Sequence, residues 1–385
     1  MFSNIIWILI LAASAAVSIG TLIQLRRLEE QKAGRSGFLY KVAGISVAAV
    51  LLIVLGIKHI ANVPIILLHN GVFWIGTMCA DGIMAARAKR GKTKRSHILA
   101  AATAGCLVYL TAGLLCANVI VKTEYTLTTD KELPDGELCI VQLSDVHLGA
   151  TVSERDFKRL IKRVAAENPD IVVITGDLTD DGTTRELMQR CCEILGGLKP
   201  RFGIYYGPGN HDSEDGQFSV EELHAELDKN CVPVLQDEYA IQLWGSAVIG
   251  RKDATVSRDS AEQLFKRYEE GRRMQAMYSS DSRSGGPRYT ILLDHEPNDF
   301  EAEAKAGADL VLCGHAHGGF LLPLRWAWKI FPDLIFRVDL CEGKKRIDNT
   351  DFIVSSGAGT CLTDFKTGTK SEYVVIRVKQ IAGEK

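Results

Sequence analysis

The stretch "FGIYYGPGNHD" (202–212) runs from an apolar segment into an amide, an imidazole and a carboxylate. Residues 202–207 read as a short buried strand closed by turn residues. Asn210, His211 and Asp212 then follow two glycines, an unusual way to leave a strand. The form recurs. "LCIVQLS" (138–144) is followed by Asp145 and His147, and "DIVVITG" (170–176) by Asp177. "YTILLDH" (289–295) ends in His295, and "DLVLCGH" (309–315) in His315, with His317 two residues on. Ligands of α/β sheets bind at the carboxyl ends of strands. Five of the nine histidines stand in these places, which core packing does not explain.

Helical patterns separate the strands. In "SERDFKRLIKRVAAE" (153–167), Phe157, Leu160, Ile161 and Val164 share one face, and Ser153 is placed to cap it. "TTRELMQRCCEILGGL" (183–198) and "SVEELHAELDKN" (219–230), capped by Ser219, repeat the pattern. Alternating β and α segments imply a sheet with crossover helices on its faces. Further on, "VPVLQ", "YAIQLW" and "AVIG" suit an antiparallel piece, 257–275 a helix, and "FIVSSG" (352–357) and "YVVIRV" (373–378) closing strands. The expected fold class is α/β, two sheets layered with helices.

The front of the chain differs. Residues 1–124 hold 13 Lys+Arg against 4 Asp+Glu, a net of +9; the remainder holds 32 against 43, a net of −11. Four apolar runs, Ile5–Leu25, Val42–Ile57, Ile60–Ala80 and Ile98–Val121, approach the roughly 20 residues that a bilayer core needs. The third carries Asn62, Pro64, His69 and Asn70, which suit contact with neighbours better than lipid. The first has no positive charge before it and no small-residue cleavage site after it, so it reads as a retained helix. Arg26, Arg27, Lys32 and Arg35 follow run one, and "RAKRGKTKR" (87–95) follows run three. Loops rich in Lys and Arg stay cytoplasmic, which puts everything after Val121 on the outer face. The expected organisation is about four transmembrane helices in 1–121, a linker or short hairpin over 122–137, and a catalytic domain over 138–385. Ten cysteines with no C-x-x-C spacing imply neither a zinc knuckle nor a dense disulfide framework, and Cys139 and Cys313 read as buried small hydrophobes.

Each block has a plain structural reading. Asp177 could cap the helix at 183–198, "GNHD" could be a tight turn, and His295 could be a satisfied core histidine. "GHAHGG" (314–319) resists that treatment, because two imidazoles among three glycines have little packing use. Carboxylate, imidazole and amide oxygen together suit Mn, Fe or Zn.

The order D-x-H, G-D, G-N-H-D, a lone H, then G-H-x-H resembles the calcineurin-like metallophosphoesterase superfamily over roughly 138–378, with all five blocks intact. The leading apolar runs and "GHAHGG" are similar to its bacterial membrane-associated branch. The resemblance implies a two-sheet sandwich flanked by helices and a centre of two divalent cations. Asp145, His147 and His317 would hold one, Asn210, His295 and His315 the other, and Asp177 would bridge them. Paired cations make water acidic and clamp a phosphate. His211 would protonate the leaving oxygen, and Asp212 would orient that imidazole. The implied activity is hydrolysis of a phosphomonoester or phosphodiester at the cell membrane, with a lipid or cell-envelope substrate. "FLLPLRWAWKIFPDLIF" (320–336) reads either as a core strand pair or as a pocket lip at the membrane interface. Rival readings are a protein phosphatase or nuclease on the same site, or a membrane sensor whose metals do not turn over. The acidic domain disfavours nucleic acid, which rewards positive charge.

Overall fold

Strand alternation in this chain feeds two cores at once. In the computed structural model, Cys139, Val141 and Leu143 join one buried cluster, while Leu138 and Ile140, on the opposite face of the same strand, join another. The structure describes residues 62–87, 95–213, 217–241, 246–278, 288–330, 337–360 and 363–381.

The elements, in chain order, begin with two helices, α1 (Asn62–Arg87) and α2 (Arg95–Asn118). Then come β1 (Val121–Thr129), β2 (Glu137–Leu143), α3 (Glu154–Ala166), β3 (Ile171–Thr175), α4 (Arg185–Gly196), β4 (Ile204–Gly207) and α5 (Val220–Lys229). The second half holds β5 (Glu238–Ile241), β6 (Ser246–Gly250), α6 (Ala261–Tyr278), β7 (Tyr289–Leu293), α7 (Phe300–Ala306), β8 (Leu310–Cys313), α8 (Leu322–Ile330), β9 (Gly343–Ile347), β10 (Thr350–Val354) and β11 (Glu372–Gln380).

Two sheets result, with strand orders β1-β11-β2-β3-β4 and β5-β6-β7-β8-β10-β9. Ile140, Val173, Ile291, Leu312 and Ile376 fill the space between them. The outer face of the first sheet packs on α3, α4 and α5 through Val141, Phe157, Leu160, Cys192 and Leu223. The outer face of the second packs on α6 and α7 through Ile249, Phe265, Leu292 and Phe300. Both α3 and α5 start as expected. Ser153 accepts from the Asp156 N–H, and Ser219 forms a reciprocal capping box with Glu222.

Three expectations change. Residues 122–129, read as part of a linker or hairpin, belong to β1. It lies at the sheet edge with alternate residues exposed, and pairs in parallel with β11, some 250 positions away. Residues 322–330 form α8, not a strand pair. Of the four expected membrane spans, the two that fall within the described residues yield one helix, Ala101–Asn118, long and apolar enough to cross a bilayer. Runs one and two lie outside the described residues. Run three forms α1, whose Asn62, His69, Asn70, Asp81 and Arg87 dilute its apolar character.

The chain divides into two units. One holds α1, α2 as far as Leu115 and the segment Leu362–Thr367; the other holds Cys116–Cys361 and Gly368 onward. In the first, Asn62 is buried. Its amide donates to Asp364 Oδ2 at 2.6 Å, and its carbonyl accepts from Thr363 Oγ1 at 3.0 Å. His69 is buried as well, with its ring nitrogen 2.7 Å from the Ile65 carbonyl. These polar groups meet protein partners, as the run's composition suggests. The described cysteines are all free thiols, with Cys139 and Cys313 buried.

Candidate metal centre

The loops after β2, β3, β4, β7 and β8 carry the candidate residues, and their backbones are bent to do so. Asp145, His147, Asp177, His315 and His317 all have positive φ, between 46° and 68°. Left-handed backbone is uncommon for residues other than glycine and persists where the surroundings impose it. Two glycines allow the loops to close in. A Cβ on Gly209 would lie 2.3 Å from Asp177 Oδ1, and one on Gly176, itself at φ 75°, would lie 2.3 Å from His295 Nδ1.

The side chains converge as two groups. In the first, His147 Nε2 and His317 Nε2 are 3.2 Å apart, and His317 Nε2 is 3.5 Å from Asp145 Oδ1. In the second, His295 Nε2 is 3.1 Å from Asp177 Oδ2, and His315 Nδ1 is 3.0 Å from Asn210 Oδ1. Asp177 Oδ2 also stands 3.8 Å from His147 Nε2, so one carboxylate oxygen faces both groups. Asp145–His147–His317 and Asp177–His295–His315 each bring their ligand atoms within 4.8 Å of one another. The structure thus gathers all seven residues expected to hold metal.

Cross-bonds fix this arrangement. The His315 N–H donates to Asp145 Oδ1 at 2.9 Å, and the His211 N–H donates to Asp177 Oδ1 at 2.9 Å. Each loop therefore aims the carboxylate of another. The His295 Nδ1 atom lies 2.9 Å from the Thr175 carbonyl, which leaves Nε2 turned inward. A metal-bound imidazole is usually held this way through its other nitrogen.

The donor set fits divalent cations. His295 Nε2 is fully buried and faces Asp177 Oδ2 at 3.1 Å. The facing Nε2 atoms of His147 and His317 can share one proton at most. Ligands at about 2.0–2.1 Å from a shared ion stand roughly 3 Å apart, which is the spacing seen. Buried charge tells the same story. Burial opposes protonation of His295, but the Asp177 carboxylate outweighs it and holds the imidazole pKa well above its ordinary value. Burial raises the Asp177 carboxyl, yet the His295 and His147 charges bring it well below normal. At His315, burial and then the neighbouring His295 charge outweigh the Asp177 and Asp253 carboxylates and push the imidazole down to about 4. Cations would take the place of those protons.

His211 stands apart. Its side chain is 20 % exposed, whereas those of His147 and His295 are at 0 %. The imidazole therefore lies at the accessible edge of the centre. Asp212 does not serve it as expected. Its carboxylate accepts instead from the Asp177 N–H at 2.8 Å, the Gly209 N–H at 3.0 Å and the Thr179 N–H at 3.0 Å. It ties the loop after β3 to the loop after β4. Backbone amides at the rim of a tight turn outcompete a side chain next in sequence.

The carboxylate facing His211 is one that the sequence reading missed. Asp180 Oδ1 lies 3.9 Å from His211 Nδ1, and Asp180 Oδ2 lies 2.9 Å from His147 Nδ1. His147, Asp180 and His211 form a third convergent group. Burial raises the Asp180 carboxyl, but the His147 imidazole overrides it, for a net lowering. The available signal was the acid three residues past Asp177 in "GDLTDD" (176–181). Behind His295, the buried Arg251 binds Asp294 at 2.8 Å, Asp299 at 2.9 Å and Glu303 at 3.3 Å. That cluster holds the end of β7 in place.

Residues 139–319 match the calcineurin-like phosphoesterase family. An uncharacterised metallophosphoesterase of Aquifex aeolicus is 32 % identical over 262 residues, 66 % of this chain and 90 % of that protein. One from Campylobacter jejuni is 29 % identical over 304 residues, 77 % of this chain and 75 % of its own length. A Danio rerio protein described as a transmembrane protein with a metallophosphoesterase domain is 31 % identical over 256 residues. That match takes in 63 % of this chain and 53 % of the fish protein, so the chain spans about half of that relative.

Proposed function

The chain belongs to the metallophosphoesterase family, and from that premise we propose that it is a membrane-anchored, two-metal phosphoesterase acting on a lipid or cell-envelope phosphoester. The observation that carries this reading is Asp177 Oδ2, placed 3.1 Å from His295 Nε2 and 3.8 Å from His147 Nε2. Asp145, His147 and His317 would hold one ion, and Asn210, His295 and His315 the other, with Asp177 between them. The donor set suits Mn, Fe or Zn. When bound, such ions supply Lewis acidity and lower the pKa of water.

The chain's own residues do the rest. The His315 and His211 amides hold Asp145 and Asp177 in position before substrate arrives. His211, at the open edge, is the group placed to give a proton to the departing alkoxide. Asp180 sets the ring orientation of His147 and faces His211. Asp212 keeps the two loops in register.

The membrane part of the reading draws on the apolar span Ala101–Asn118 and on the name of the fish relative. The basic runs at 26–35 and 87–95 favour a multi-pass anchor with the catalytic domain outside the cytoplasm. The lipid part draws on α8, which begins five residues after His317 and leaves Trp326 60 % and Ile330 68 % exposed. Trp at an apolar surface beside Lys329 suits a bilayer interface. A phosphoester panel with the full chain tests the reading. Metal-dependent turnover that favours lipid phosphates over soluble nucleotides is expected; equal rates on both would remove the lipid assignment.

A further inference from the structure

Helix α3 presents cations where the rest of its domain is acidic. Arg155, Lys158, Arg159, Lys162 and Arg163 are all exposed, while Phe157, Leu160, Ile161 and Val164 face inward. The helix's own acids are engaged. Glu154 pairs with Arg190 at 2.8 Å, and Asp156 with Arg159 at 3.2 Å. Among the described residues, Arg155, Lys158 and Lys162 have no acidic partner. Their spacing of three and four places them on one line, about 10 Å long on a helix rising 1.5 Å per residue. Ser153, Glu154, Arg155, Lys158, Arg159 and Lys162 together line a shallow surface groove, in which Glu154 is held by Arg190.

Like charges four residues apart on a helix, such as Lys158 and Lys162, repel and destabilise it. Here the residues from 125 onward carry a net −11, yet this stripe carries only positive charge. Its position gives the second clue. The Arg163 guanidinium donates to the Ile120 carbonyl at the C-terminal end of α3 and lies 4.9 Å over the Tyr373 ring. Ile120 is two residues beyond Asn118, where the apolar span ends. The C-terminal end of α3, one position past Lys162, is therefore tied to the segment just after α2.

We propose that the Arg155–Lys158–Lys162 stripe of α3 is a docking surface for an anionic phospholipid bilayer, its cations taking headgroup phosphates. The inference rests on the membrane-anchored reading above and requires anionic phospholipid in the outer leaflet, which the catalytic domain faces in that reading. Each Lys or Arg near an anionic surface strengthens association about five-fold, so three together contribute about a hundred-fold. Docking would fix the orientation of the catalytic domain on its own membrane.

The test uses the full chain in nanodiscs of phosphatidylcholine, with or without about 30 % phosphatidylglycerol, to supply the anionic surface that attracts basic segments. Reductive methylation read by mass spectrometry reports on each lysine. Lys158 and Lys162 should react several-fold more slowly in the anionic discs, while the exposed Lys266 and Lys305 react equally in both. About 1 M NaCl, with a screening length near 3 Å, should erase the difference. Equal rates in the two discs, from a chain that resists carbonate extraction from liposomes, overturn the stripe and leave the anchor standing. Release by carbonate overturns the anchored reading and this inference with it. Protection by a single-stranded oligonucleotide and not by phosphatidylglycerol marks a nucleic-acid surface and overturns the proposal as well.

Discussion

Replacing Asp180 separates catalysis from folding in this domain. Its carboxylate contacts His147 Nδ1 at 2.9 Å and stands 3.9 Å from His211 Nδ1, and it sits in the loop after β3 with its side chain 10 % exposed. Outer partners of metal-binding imidazoles are worth about 10–100-fold in affinity or activity. Asp180→Asn keeps an oxygen that can accept from His147 and loses only the charge, so the lower end, about ten-fold in kcat/KM, is expected. Asp180→Ala removes the ion-pair partner of His147 altogether, so the upper end, about 100-fold, is expected. The assay is hydrolysis of bis(p-nitrophenyl) phosphate by the full chain across a Mn titration, with a thermal melt alongside. Weaker metal binding and slower turnover at an unchanged Tm are the expected pattern. Wild-type kinetics and wild-type metal affinity in Asp180→Ala would refute the reasoning.

Asp212 should behave in the opposite way. Its carboxylate takes N–H groups from Asp177, Gly209 and Thr179, and Asp212→Asn would turn an NH2 against one of these donors. A loss of about 2–4 kcal/mol in stability is expected, visible as a Tm lower by roughly 5–15 °C; an unaltered melt would show that the loops do not depend on it. His211→Ala should keep its metal content and lose far more turnover on alkyl phosphodiesters than on nitrophenyl esters, whose leaving groups need little protonation. Equal losses on both would end the proton-donor assignment.

The fold was legible where physics is local. The face Phe157–Leu160–Ile161–Val164 is buried as its spacing demands, and the apolar runs at 138–144, 170–176 and 289–295 became strands whose ends carry the candidate ligands. Where the partner is distant, the sequence was silent. β1 mixes Lys, Thr and Glu with Tyr and Leu, and only its pairing with β11 makes it a strand. β9 ("GKKRI", 343–347) is exposed on most of its length and takes its shape from β10. The site shows the same divide. Motif order located the ligand blocks, but adjacency in sequence suggested Asp212 for His211, whereas the fold turns Asp212 toward backbone amides and brings in Asp180.

The central claim is that Asp177 joins two cation sites built from five loops. Metal analysis of the purified full chain beside Asp177→Ala measures it directly. The wild type should hold two divalent ions per chain, and the variant should lose both, together with its hydrolytic activity. A variant that keeps both ions and turns over normally would contradict the account.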